Sequence, residues 1–148
     1  MTEEQVTKTI LTALILNNWD IISYDFPQSG TGMILRPNSV VSEKNKGGII
    51  PDIIAIKDGT CLFFENKQNI ALSDFHKTSA LITNNQFTND ISSLLCGYDV
   101  TKIYYGIGFP SDKWNKTAEE NTSLVDFVLG VTCNNIINFY YNPFNILL

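Results

Sequence analysis

Residues 51–67 read PDIIAIKDGTCLFFENK. Two runs of strand length, Ile53–Ile56 and Cys61–Phe64, flank the pair Asp58-Gly59. Both runs are β-branched or aromatic, the composition that suits a pleated, half-buried surface. Asp-Gly favours the type I′ turn, which needs positive φ at both central positions, so the stretch predicts a tight β-hairpin. A two-residue turn sets the register. Lys57 then faces Thr60, Ile54 faces Phe63, and Asp52 faces Glu65. Side chains alternate along a strand, so Lys67 shares the face of Glu65 and Asn66 takes the other.

Asp52, Glu65 and Lys67 thus converge on one patch. Opposed carboxylates on neighbouring strands repel, and charge beside apolar side chains is costly unless it is paired. A divalent cation would remove the conflict, and hard oxygen ligands suit Mg²⁺ or Mn²⁺. The adjacent lysine would stabilise charge developing on a phosphate. A structural ion pair between Lys67 and one acid is the alternative reading.

Pro51-Asp52, twelve intervening residues, then Glu65-Asn66-Lys67 resembles the PD-(D/E)XK nuclease superfamily. The stretch Gln28-Ser29-Gly30-Thr31-Gly32 resembles the Ser-Gly segment of archaeal Holliday-junction resolvases and of some type II restriction endonucleases. The resemblance covers residues 1–109. It implies a restriction-endonuclease-like α/β core, with an αβββαβ mixed central sheet flanked by helices. It also implies catalytic Asp52, Glu65 and Lys67, with Mg²⁺ held by Asp52 and Glu65 and Mn²⁺ as a substitute. The family often places a further glutamate on the first helix. Glu3 is the better candidate here, and Glu4 is offset from it.

With 44% hydrophobic and 17% charged residues over 148 positions, the chain reads as one globular domain with a core at about 1–109. No apolar run reaches a transmembrane length. The opening Thr2-Glu3-Glu4 is acidic where a signal peptide is basic, so the expectation is cytoplasmic. Cys61, Cys96 and Cys133 form no metal-binding spacing and sit in apolar contexts, which predicts three reduced, buried thiols. The net charge of −5 argues against a simple sequence-independent nucleic-acid binder. Only residues 36–48 are net positive, through Arg36, Lys44 and Lys46 against Glu43.

Residues 3–18 predict a helix, opened by a Thr2–Gln5 capping box. Residues 19–26 predict the first strand, with Ile22, Tyr24 and Phe26 as its core face. Ser29, Gly30 and Thr31 form a turn-rich loop, either a phosphate contact or a plain connection. Residues 33–48 read as an insertion. It is either a solvated loop or a DNA-contact element, in which Met33–Leu35 and Val40–Val41 would form a small hairpin and Arg36, Lys44, Lys46 and the asparagines would meet DNA. Gln68 continues the site face past the end of the strand, as a substrate-binding candidate. Two helices follow, Leu72–Asn84, capped by Ser73 or a neighbour, and Phe87–Cys96, ended by Gly97. Lys102–Phe109 is a strand, residues 112–130 carry a helical pattern, and Ile136–Tyr141 is a last strand. His76 lacks partners for catalysis, and Lys77 is placed to touch a phosphate.

The functional expectation is a metal-dependent DNA endonuclease, a small type II restriction enzyme before a Holliday-junction resolvase or another repair or recombination nuclease. Cutting two strands implies a homodimer. A non-catalytic DNA-binding or assembly subunit that keeps the fold is the reading from another class.

Overall fold

The computed structural model of the protein describes residues 1–39 and 47–148. Lys44, Lys46, Val40 and Val41 lie outside the described residues. The hairpin forms as expected. β2 (Ile53–Lys57) and β3 (Thr60–Asn66) are antiparallel, Lys57 pairs with Thr60 and Ile54 with Phe63. Asp58 and Gly59 both have positive φ, at 48° and 77°.

Four more strands extend this hairpin. β1 (Asp20–Tyr24) lies antiparallel to β2, and β4 (Lys102–Pro110) lies parallel to β3. β5 (Phe127–Val131) is parallel to β4, and β6 (Ile137–Tyr141) closes the row antiparallel to β5. The six strands stand in sequence order in one mixed sheet. The two parallel joints need crossovers. The first carries α2 (Leu72–Thr83) and α3 (Thr88–Leu94), and the second carries α4 (Lys116–Asn121). The molecule is therefore an α/β protein whose mixed sheet is flanked by four helices.

Alternation along the hairpin sorts the core into two layers. Ile53, Ala55, Leu62 and Phe64 pack with Val6, Ile10 and Leu14 of α1 (Glu3–Leu16). Ile54, Ile56, Cys61 and Phe63 point the other way, onto Phe87, Ile91 and Leu95 around α3. Phe75 of α2 and Ala118 of α4 continue that second layer over Ile107, Phe109 and Val128. Helix α1 opens with the predicted capping box between Thr2 and Gln5.

Several expectations are corrected. Residues 112–130 are not one helix: α4 is short, and the apolar run Phe127–Val131 is strand β5. That strand is buried on both faces between β4 and β6, where a continuous apolar run replaces the alternation that would have marked it. β1 carries a bulge between Ile21 and Ser23, so its alternation breaks and Tyr24 is exposed instead of joining the core. Leu35 bridges Ile49, and the expected hairpin with Val40–Val41 lies outside the described residues. Helix α2 begins after Ala71 with no side-chain cap, and Ser73 lies inside it. Cys61 is buried, but Cys96 and Cys133 are exposed; all three are free thiols.

Candidate active site

The regular β2–β3 ladder ends at Ile53–Phe64, and Asp52 stands one residue beyond it. Its main chain is still held. The Asp52 N–H donates to the Phe64 carbonyl at 2.9 Å, and the Asp25 N–H donates to the Asp52 carbonyl at 2.9 Å. The next donor on β3, the Asn66 N–H, meets the Asp52 side chain at Oδ2, 2.5 Å away. Asp52 is therefore fixed at three points, and it is 9% exposed.

Glu65 and Lys67 leave β3 on the same side, as alternation requires. Lys67 Nζ lies 2.8 Å from Glu65 Oε1, and each side chain is about a quarter exposed. The Lys67 N–H donates to the Gly108 carbonyl at 2.8 Å, which ties this end of β3 to β4. The structure thus brings Asp52, Glu65 and Lys67 together at one end of the central strands.

Electrostatics records the crowding. Burial first, then the Glu65 charge and more weakly Glu3, push the Asp52 carboxyl up to about 7 against the opposing pull of the Asn66 N–H and of Lys67. At Lys67 burial disfavours the ammonium. Glu65, Asp52 and Glu3 together outweigh it, and the net shift is upward. Lys67 therefore stays charged at neutral pH. Glu3 acts on both groups from the start of α1, whereas Glu4 pairs with Lys8 one turn along the same helix.

Among the described residues no group of three or more His, Cys, Asp or Glu side chains converges as a ready-made metal cage. The donor set nonetheless fits Mg²⁺ or Mn²⁺ in kind. Two hard carboxylates on a rigid hairpin match a cation that commonly keeps several waters and takes one or two carboxylates beside a substrate phosphate. A cleft of about 500 Å³ adjoins the site, with Glu65, Pro51 and Lys77 among its walls.

The other candidates are placed differently. Ser29 and Thr31 form a loop whose hydroxyls are engaged internally. Ser29 Oγ donates to Asp25 Oδ1 at 3.0 Å, and Thr31 Oγ1 donates to the Tyr24 carbonyl at 3.1 Å. Gly30, between them, has a φ of 64° and open space beside it. Gln68 is exposed just past β3. Arg36 is exposed, and its N–H donates to Asp90 Oδ2 at 2.7 Å. His76 and Lys77 are exposed on α2.

Asp25, Asn66 and Thr7 were not singled out from the sequence as site or anchoring groups, and Asn38, one of the asparagines expected to meet DNA, has a structural part in the fold. Asp25 gathers the 25–32 loop by accepting from Ser29 Oγ and the Gly32 N–H. The Asn38 side chain is engaged within the fold: its Nδ2 donates to the Asn85 carbonyl and Thr88 Oγ1, and its Oδ1 accepts from the Asn89 N–H. It caps α3 from a distant segment. Asn66 and Thr7 form a buried polar pair between the sheet and α1. Their one legible signal was a polar residue, Asn66, on the core-facing side of an apolar strand.

No protein-family model matches the chain, and no curated protein matches it in sequence. Among solved structures it is similar to an XisH family protein from Nostoc punctiforme, at 16% identity over 93% of this chain and 98% of that one, with a TM-score of 0.43. It is similar at 17% identity, over 90% of this chain and 96% of the other, to an fdxN element excision controlling factor protein from Anabaena variabilis, again with a TM-score of 0.43. The reading of the site rests on its own residues.

Proposed function

We propose that the protein is a Mg²⁺-dependent endodeoxyribonuclease, with Asp52 and Glu65 as the cation-holding carboxylates and Lys67 as the cationic group beside the phosphate. One observation carries this reading. A buried carboxylate, Asp52, stands beside the partly exposed Glu65, and the lysine is ion-paired to Glu65. A fold that wanted only an ion pair would not bury a second acid there, since an uncompensated buried charge is costly.

Bound Mg²⁺ would lower the pKa of water and polarise the phosphoryl oxygen. The chain supplies the rest. Asp52, pinned through its N–H, its carbonyl and Oδ2, offers a carboxylate of fixed direction. Glu65 takes the second position and orients Lys67. Because Lys67 remains protonated, its role is to stabilise the charge that builds on the phosphate, and not to act as the base. Water adds at phosphorus in line with the departing 3′ oxygen.

Within this class we favour a small type II restriction enzyme over a junction resolvase. The net charge of −5 suits local, specific contacts better than a broad grip on branched DNA. The test is incubation of purified protein with plasmid, phage DNA and a four-way junction, with Mg²⁺ and with EDTA. Cleavage should require Mg²⁺ or Mn²⁺. Asp52→Ala and Lys67→Ala should abolish it while circular dichroism stays native. Full activity in either variant sinks the mechanism, and binding without cleavage by the wild type would favour a non-catalytic subunit.

A further inference from the structure

Asn66 is 0% exposed and Thr7 is 1% exposed, in a layer otherwise filled by apolar side chains. Asn66 Nδ2 donates to Thr7 Oγ1 at 3.0 Å. Asn66 Oδ1 is buried without a hydrogen-bond partner. The fit is close. A Cβ on Gly108 would come within 2.4 Å of Asn66 Oδ1 and 2.7 Å of Ile10 Cδ1, so the amide occupies space that a side chain at 108 would take. An unpartnered buried oxygen is costly, and an apolar pair of similar size would join the two layers without that cost. What a hydrogen bond adds is direction, because apolar contacts hold no particular orientation. The same residue also holds the Asp52 carboxylate through its own N–H.

We propose that Asn66 is a positioning residue that clasps helix α1 to the site, holding Thr7 and so setting Glu3, four residues earlier on the same helix face, against Asp52, Glu65 and Lys67. The proposal rests on the nuclease reading of that cluster. Residues four apart on a helix share a face, so fixing Thr7 fixes the approach of Glu3. The charge of Glu3 acts on both Asp52 and Lys67, as this placement requires. One residue thereby couples the acid on the helix to the acids on the hairpin.

The test compares Mn²⁺ affinity, read by electron paramagnetic resonance, in wild type, Thr7→Val/Asn66→Leu, Glu3→Gln and the triple variant. Amide hydrogen exchange of the metal-free proteins accompanies it. The double variant replaces both polar partners and should fold. Its Mn²⁺ affinity should fall about 10- to 100-fold, the usual effect of losing an outer-shell partner. Glu3→Gln should cause a comparable loss, and the triple variant should be no worse than the double, because both changes remove one arrangement. Amides in the first turns of α1 should exchange faster in the double variant while those of β3 and β4 do not. Thr7→Ser, which keeps the acceptor, should bind Mn²⁺ as the wild type does, whereas Thr7→Val alone should bind it more weakly. Additive losses, or equal Mn²⁺ binding by wild type and double variant, overturn the proposal alone. A wild type that binds no Mn²⁺ overturns the nuclease reading and the proposal with it.

Discussion

Asp52 makes the stability of the metal-free protein depend on pH. Its carboxyl moves from an ordinary 3.8 to about 7 on folding, mainly through burial and then through Glu65. Below the ordinary value both folded and unfolded chains hold the proton, and there is no cost. Between the two values the unfolded chain has released its proton and the folded chain has not, so stability falls as pH rises. Above about 7 the cost is complete, on the order of 4 kcal/mol. Lys67 works at the other extreme. Its raised pKa gives a contribution fully present below its ordinary 10.5 and lost only as pH passes the higher folded value. In EDTA, the urea-unfolding free energy of the wild type should therefore drop between about pH 5 and pH 8 relative to Asp52→Asn, which has no proton to lose. Mg²⁺ should restore stability at the upper pH, since the cation compensates the buried carboxylate charge that forms there. Parallel curves for wild type and Asp52→Asn would refute the assignment.

At the scale of elements, α3 depends on a residue far away in sequence. Phe87, at its N-terminal boundary, gives no side-chain cap, and Asn38 supplies the missing acceptor to the Asn89 N–H at 3.0 Å. The Asn38 N–H also donates to the Gln86 carbonyl at 2.6 Å, which fixes the segment against the α2–α3 connection. Asn38→Ala should cost about 1 kcal/mol, within the range of lost N-caps. Chemical denaturation measures the loss, and hydrogen exchange should locate it in α3. An unchanged unfolding midpoint with weakened DNA binding would instead return Asn38 to a base-reading role. The same segment continues through Leu35, whose bridge to Ile49 brings the chain back toward Pro51 and the site. β5 shows the opposite situation. Its identity comes not from a cap or a turn but from two flanking strands, parallel to β4 and antiparallel to β6.

For the whole molecule, the decisive property is where charge lies. The chain is acidic, and residues 36–48 are its net-positive stretch, leading directly into the strand that follows Asp52. Under the proposed function, DNA held at the carboxylates passes close to this stretch. Arg36→Ala, Lys44→Ala and Lys46→Ala together should weaken DNA binding far more than changing Lys102, Lys113 and Lys116. The salt dependence should flatten by about one counterion for each phosphate that is no longer neutralised. Removing a base-reading side chain would instead cost roughly 1–3 kcal/mol at one base pair and relax specificity there. Titrations at two salt concentrations separate these outcomes. A triple variant that binds as the wild type does would move the DNA to another face. Both outer strands also carry a bulge, at Ile21–Ser23 in β1 and opposite Val128–Leu129 in β6. Bulges blunt an open sheet edge, so pairing of two copies through continued strands is disfavoured.

The hairpin, its register and the meeting of Asp52, Glu65 and Lys67 were legible from residues 51–67 alone. Asp58-Gly59 accepts positive φ at both positions, and strand alternation does the rest; both are short-range constraints written in adjacent residues. The capping box of α1 was legible for the same reason, as was the positive-φ turn at Gly97, although α3 itself stops earlier, at Leu94. Contacts distant in sequence decided what remained. Phe127–Val131 became a strand because β4 and β6 pair with its two edges while the α1 layer and the α2–α4 layer cover its two faces, and an apolar run has no period to announce that. Cys96 and Cys133 are exposed in the turns after α3 and β5, which their apolar neighbours in sequence did not reveal. Glu3 was already preferred to Glu4, but only the approach of α1 to the hairpin brings its charge to bear on Asp52 and Lys67, and Asn38 became a cap by reaching a helix far along the chain. Asn66 was visible as a polar residue on the wrong face of an apolar strand. Only the packing of α1 supplied Thr7 as its partner, because a hydrogen bond between residues so far apart in the chain exists only once the layers have closed.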